Sequence, residues 1–159
     1  MTEGGHAFQA DLATVRFVKE RAVERRRLYY VTFEGFPFRS AAHAPTRFGW
    51  VFEVKEDAHG WRMASGFGET GDEPPRHELR VNLGGGGSPG QFCAGGRVLA
   101  TGLDIAWVRL VCANGLVLDD DTEGGVVLFI TEQRAEAPVT AELYDRAGTH
   151  VASHEVLPG

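Results

Sequence analysis

From Leu28 onward the chain alternates hydrophobic and polar positions with a period of two. Tyr29, Val31 and Phe33 interleave with Tyr30, Thr32 and Glu34, and Trp50, Phe52 and Val54 interleave with Val51, Glu53 and Lys55. Trp61, Met63, Ser65 and Phe67 share one parity in the next run, and Leu79, Val81 and Leu83 share one in the run after. Successive strand side chains point to opposite faces, so this pattern predicts strands with one face buried. Asp57-Ala58-His59-Gly60 between two such runs predicts a hairpin.

The second half carries the same signal. Residues 105–113 hold few charges and predict a central strand buried on both faces. Asn114-Gly115 before Leu116 predicts a hairpin with a type I′ turn, which requires positive φ at both central residues. Further strands are expected over residues 126–131, 139–144 and 150–156. Asp145-Arg146-Ala147-Gly148 suits a type I turn ending in a left-handed glycine.

The N-terminal part differs. Residues 1–10 predict a flexible tail. Leu12, Val15, Val18 and Ala22 recur at helical spacing behind Asp11, a capable cap, so a helix is expected over residues 12–27. The β-branched Thr14, Val15, Val18 and Val23 pull toward a strand instead. About nine evenly spaced strands and one N-terminal helix predict a mainly β domain over residues 11–159. The expected architecture is an antiparallel β-sandwich or a partly closed barrel.

Composition narrows the class. The chain has 159 residues, enough for one core without disulfides or metal. Its 21 glycines are about twice the usual share of roughly 7%. Residues 71–75 and 84–90 read as looser stretches, and Gly84-Gly85-Gly86-Gly87 as a mobile loop between strands. The net charge of −6 argues against a nucleic-acid partner. No apolar run approaches the roughly 18 residues of a membrane span, so no membrane partner is expected. Cys93 and Cys112, without a secretory signal at the N-terminus, point to free thiols and a cytoplasmic location.

Candidate chemistry is sparse. Gln91-Phe92-Cys93-Ala94-Gly95 resembles the caspase signature around the nucleophilic cysteine, with His43 about 50 residues upstream. It departs from that pattern at Phe92 and Ala94, and a glycine run replaces the buried strand before the cysteine. The match is read as chance and no catalytic residue is assigned. The six histidines form no metal-ligand spacing. Asp119, Asp121, Glu123 and Gly124 repeat the opening of a calcium loop, but its twelfth position is Ile130, so a solvated acidic turn is favoured and neither metal nor cofactor is expected.

Ten of the 16 aromatic residues lie between Tyr29 and Phe67, most of them at alternating positions that read as core. Phe36-Pro37-Phe38-Arg39 falls in an expected loop, where Phe36, Phe38 and Arg39 are candidate ligand-binding residues. Arg109 on a central strand needs an ion pair, or binds an anion. The leading expectation is a non-enzymatic binding or assembly module whose partner is another protein or a second copy. Arg25, Arg26 and Arg27 would meet the acidic turn at residues 119–123 of that copy. The rival is a small hydrolase or isomerase in the sandwich mouth, with His43 or His77 as base and Arg109 holding an anionic substrate.

Overall fold

The computed structural model describes residues 8–37, 44–70, 79–88, 90–100 and 104–159. Phe38, Arg39, His43, His77 and residues 71–75 fall outside them. Eleven antiparallel strands form among the described residues. The first sheet joins β1 (Phe8–Val23), β2 (Arg26–Pro37), β3 (Thr46–Asp57) and β4 (Gly60–Thr70) in that order. A three-stranded sheet orders β5 (Leu79–Ser88), β6 (Gln91–Ala100) and β9 (Val126–Thr131). The last sheet orders β11 (His150–Leu157), β10 (Val139–Asp145), β7 (Ile105–Cys112) and β8 (Val117–Asp121).

The three-stranded sheet is a middle layer, because its strands bury both faces. On β6 and β9, Phe92, Ala94, Val127 and Phe129 join Val108, Leu110, Ala141 and Leu143 of the last sheet in one core. The intervening Cys93, Val126 and Leu128 join Leu28, Tyr30 and Val51 of the first sheet in another. A strand buried on both sides has no polar alternation. β9, Val-Val-Leu-Phe-Ile-Thr, is the element that meets this description. The two-sheet expectation lacked this layer.

The expected N-terminal helix is instead β1, which also takes up residues 8–10 of the expected tail. Pairing with β2 along its length overrides the helical spacing. Two register shifts, between Asp11 and Arg16 and between Phe17 and Lys19, explain why no period of two is legible there. Leu12, which would have anchored the helix core, is 81% exposed.

The glycine run is also a strand. Gly84, Gly85, Gly86 and Gly87 pair with Gly95, Ala94, Cys93 and Phe92 of β6. A Cβ at Gly84 would lie 2.5 Å from the ring of Phe67, and one at Gly85 2.4 Å from the Cys93 carbonyl oxygen. The run is therefore strand rather than loop, closely packed at Gly84 and Gly85 and open at Gly86.

The hairpins at residues 57–60 and 145–148 form as expected, with Gly148 at φ 81°. At Asn114-Gly115 only Gly115 takes positive φ, and Cys112 N–H donates to Leu116 at 2.9 Å. The hairpin stands, but its turn is not type I′. β7 is central in its sheet yet buried on one face, since Trp107, Arg109 and Val111 remain partly exposed.

Candidate functional site

The acidic turn is held from within its own chain. The bulge in β1 aims Lys19 at β8, where its Nζ lies 2.7 Å from Asp120 Oδ2 and 2.9 Å from Asp121 Oδ1. Arg21 reaches Asp120 Oδ1 and Asp121 Oδ2, both at 2.8 Å. Leu128 N–H donates to Asp120 at 2.7 Å and Glu123 N–H to Asp121 at 2.9 Å. The Glu123 N–H, then Lys19, holds the Asp121 carboxyl below its ordinary pKa. Asp119 faces the other way and pairs with Arg109. Carboxylates with these partners do not converge on a common point, and no group of three or more metal-ligating side chains assembles among the described residues.

Most of the charges expected to pair between copies are engaged within the chain. The acidic turn is occupied by Lys19 and Arg21 of the same chain. Arg26 is buried against Glu53 at 2.5 Å and Arg27 pairs with Glu20 at 2.8 Å.

Arg26 belongs to a polar cleft between the first sheet and the middle one. Its Nη1 donates to the Thr131 carbonyl at 2.7 Å and to Glu132 at 3.1 Å. Ser65 and Cys93 donate to Glu53 Oε2 at 3.2 and 3.9 Å, and Lys55 donates to Gln91 at 2.9 Å. The cleft measures about 480 Å³. Burial first, and the Glu53 charge second, push the Cys93 thiol up. A thiol kept protonated is a poor nucleophile.

Arg109 lies on the outward face of β7, not in the mouth between sheets. It grips Asp119 by two bonds of 2.8 and 2.9 Å. Its guanidinium lies 5.1 Å from the Trp107 ring, which stacks on Tyr144 at 3.9 Å. The Asp119 bond raises its already high pKa further. Arg109 thus lies away from the expected mouth, and the candidate bases His43 and His77 lie outside the described residues.

Among the described residues, exposed apolar side chains gather on the outer face of the first sheet. β2 and β3 turn Leu28, Tyr30 and Val51 inward. The opposite parity carries Tyr29 and Phe52, which stack at 5.2 Å. Phe17 of β1 meets both edge-on, at 5.7 and 6.4 Å. Val31, Phe33 and Phe48 share this parity but are buried in a small cluster with Val15 and Trp50, with Phe33 and Phe48 stacked at 5.4 Å. On β4 the pairing skips Ala64, so Ser65 and Phe67 point inward while Met63 and Trp61 point out. Arg27 sits over Trp61 at 5.0 Å. Phe17 is 67% exposed, Met63 74% and Trp61 45%. Among the described residues, every large exposed hydrophobic side chain except Val117 is on this sheet.

The chain matches no family model, no curated protein and no solved structure. The site therefore rests on geometry alone.

Phe36, one of the sequence candidates, ends β2 and is exposed, whereas Phe38 and Arg39 lie outside the described residues. The structure does not bring Arg109 and Phe36 together, since they lie on different sheets. The face built by Phe17, Tyr29, Phe52, Trp61 and Met63 is not legible in the sequence, because period-two aromatics read equally well as core. The available signal was that the even positions of β3, Phe48, Trp50, Phe52 and Val54, are all apolar while its odd positions hold Arg47, Glu53 and Lys55, so either parity could be the outward one.

Proposed function

We propose that this chain is a non-enzymatic assembly module that self-associates through the outer face of its first sheet. The observation that carries the reading is the continuous band of Phe17, Tyr29, Phe52, Met63 and Trp61, with its most exposed members at the β1 and β4 edges. Contiguous exposed apolar patches of this kind mark interaction surfaces, and aromatics with an arginine are enriched at interface centres.

A second copy suits this face better than a charged partner. Of the charges set among the aromatics, Glu20 and Arg27 are already paired at 2.8 Å, and Glu56, opposite Trp61, adds a single acid. The face thus presents little net charge to a copy, although the whole chain carries −6. Two-fold docking would lay the same band against itself, as isologous interfaces do. The buried, unactivated Cys93 and the dispersed polar clusters favour binding over catalysis. Two free buried thiols fit a cytoplasmic setting.

Sedimentation velocity across a hundredfold concentration range tests this. The expected result is a concentration-dependent dimer that persists in high salt, reduced to monomer by Phe17→Asp with Met63→Asp. Both positions are exposed, so the variant keeps its fold. A wild-type monomer at every concentration overturns the reading, as does a dimer that dissolves in salt.

A further inference from the structure

The first and middle sheets face each other across a seam, and packed sheets are held about 10 Å apart by the side chains between them. Along part of this seam glycine stands on both sides. Gly49 on β3 belongs to the first sheet, and Gly84 and Gly95, cross-strand partners on β5 and β6, belong to the middle one. Two rings take up part of the room that the missing side chains leave. Tyr30 lies along its own sheet over Gly49, where its hydroxyl leaves no space for a Cβ. Phe67 crosses the seam onto Gly84, where a Cβ would lie 2.5 Å from the ring. A hollow of about 140 Å³ remains, walled by Tyr30, Val51, Phe67, Leu83 and glycine backbone at five positions. None of these lining residues is charged, and Tyr30 alone carries a polar side-chain atom. Phe67 is half-buried and Gly68 exposed, so the hollow is reached from the β4 side.

We propose that this hollow binds a small uncharged aromatic molecule of one ring, packed against Tyr30 and Phe67. The size of the ligand follows from the volume, since an apolar cavity of about 150 Å³ holds one benzene molecule. Its charge follows from the wall. An ionised group would leave water for side chains that cannot pair with it, which is costly. Its shape follows from the two rings, against which a third ring packs offset or edge-on. Atoms lining a void forfeit dispersion contacts on that side, and an occupant of matching size restores them without ordering any further part of the chain. The site is independent of the self-associating face, which lies on the other side of the same sheet.

The test is a titration of the whole chain with toluene and, separately, with benzoate, read by amide chemical shifts and by thermal melts. The expected result is a set of saturable shifts with toluene, centred on the amides of Gly49, Val51, Gly84 and Gly95, with a rise of several degrees in the melt. Benzoate gives neither. Val51→Leu, which builds into the hollow, weakens toluene binding at least tenfold, and Val117→Leu on the last sheet leaves it unchanged. The shift map locates the ligand without any variant, so it decides the matter even if Val51→Leu does not fold. No saturable effect with toluene overturns the proposal, and so does an equal response to benzoate. Shifts centred on Phe17, Trp61 and Met63 overturn it too, because they place the ring on the outer face.

Discussion

Lys19 and Asp120 face each other at 2.7 Å with side chains only 2% and 3% exposed, joining β1 of the first sheet to β8 of the last. Withdrawing two charges from water is costly, and it is offset here by additional bonds. Lys19 also reaches the Asp121 and Val126 carbonyl oxygens at 2.5 and 3.1 Å, and Asp120 accepts from Leu128 and Arg21. Removing one partner strands the other. Lys19→Met or Asp120→Asn is therefore expected to cost about 3–5 kcal/mol in urea unfolding, whereas the joint Lys19→Met, Asp120→Leu change costs much less than the sum. Losses below about 1 kcal/mol for both single variants would contradict this role.

Asp121 contributes to the acid side of the stability profile. Its pKa is lowered in the fold, first by the Glu123 N–H and then by Lys19. The unfolded chain thus takes up the proton at a higher pH than the folded one. The stabilisation is complete above the ordinary carboxylate value near 3.8 and is lost as pH falls through the lower folded value. Asp121→Asn should flatten the urea midpoint between about pH 5 and pH 2, and should weaken the protein more at pH 6 than at pH 2. An unchanged acid slope would show that other carboxylates set it. The group is half exposed, so the effect is modest and shrinks in salt.

The strands whose signals were local were legible in the sequence. β9, β10 and β11 fall close to where alternation and turn residues place them. The tertiary decisions were not. Asp11, Leu12, Val15 and Val18 satisfy a helix template, and only the cross-strand partners of β1 and the grip of Lys19 on β8 make it a strand. Asp120, buried between Asp119 and Asp121, carries no sequence mark of its burial, because nothing local shows that Lys19 lies opposite. The skip at Ala64 reverses which residues of β4 face out, and a one-residue bulge leaves no compositional trace.

Gly85 and Gly86, neighbours in β5, should respond in opposite directions to alanine. At Gly85 the new methyl would meet the Cys93 carbonyl oxygen at 2.4 Å and the Ala94 Cα at 2.8 Å, both backbone atoms that cannot swing away. At Gly86 nothing lies within 4 Å. Gly85→Ala is expected to destabilise by about 1–3 kcal/mol, as overpacking does. Gly86→Ala should be neutral or add about 0.4–1 kcal/mol by restricting the unfolded chain. Guanidinium unfolding of the pair decides it. Equal effects would mean that the run tolerates side chains throughout, as a loop does.

The state of Cys93 separates a binding module from a thiol enzyme. Its sulfur is 3.9 Å from Glu53 Oε2 and almost fully buried, and burial and that carboxylate both favour the neutral thiol. Arg26, Ser65 and Gly86 act in the opposite sense without reversing the shift. At pH 7.5 even an ordinary thiol, with a pKa near 8.5, is about a tenth thiolate, and Cys93 must be less. In a Cys112→Ala background, native alkylation by iodoacetamide should run at least a hundredfold slower than in urea. Its pH profile should move to lower pH in Glu53→Gln, because the charge that holds the proton is gone while Arg26 remains. A merely shielded cysteine would be slow too, but its profile would not move with Glu53. Rapid native alkylation at neutral pH would mean that Arg26 dominates after all, and would return the cleft beside Cys93 to candidacy as a catalytic site.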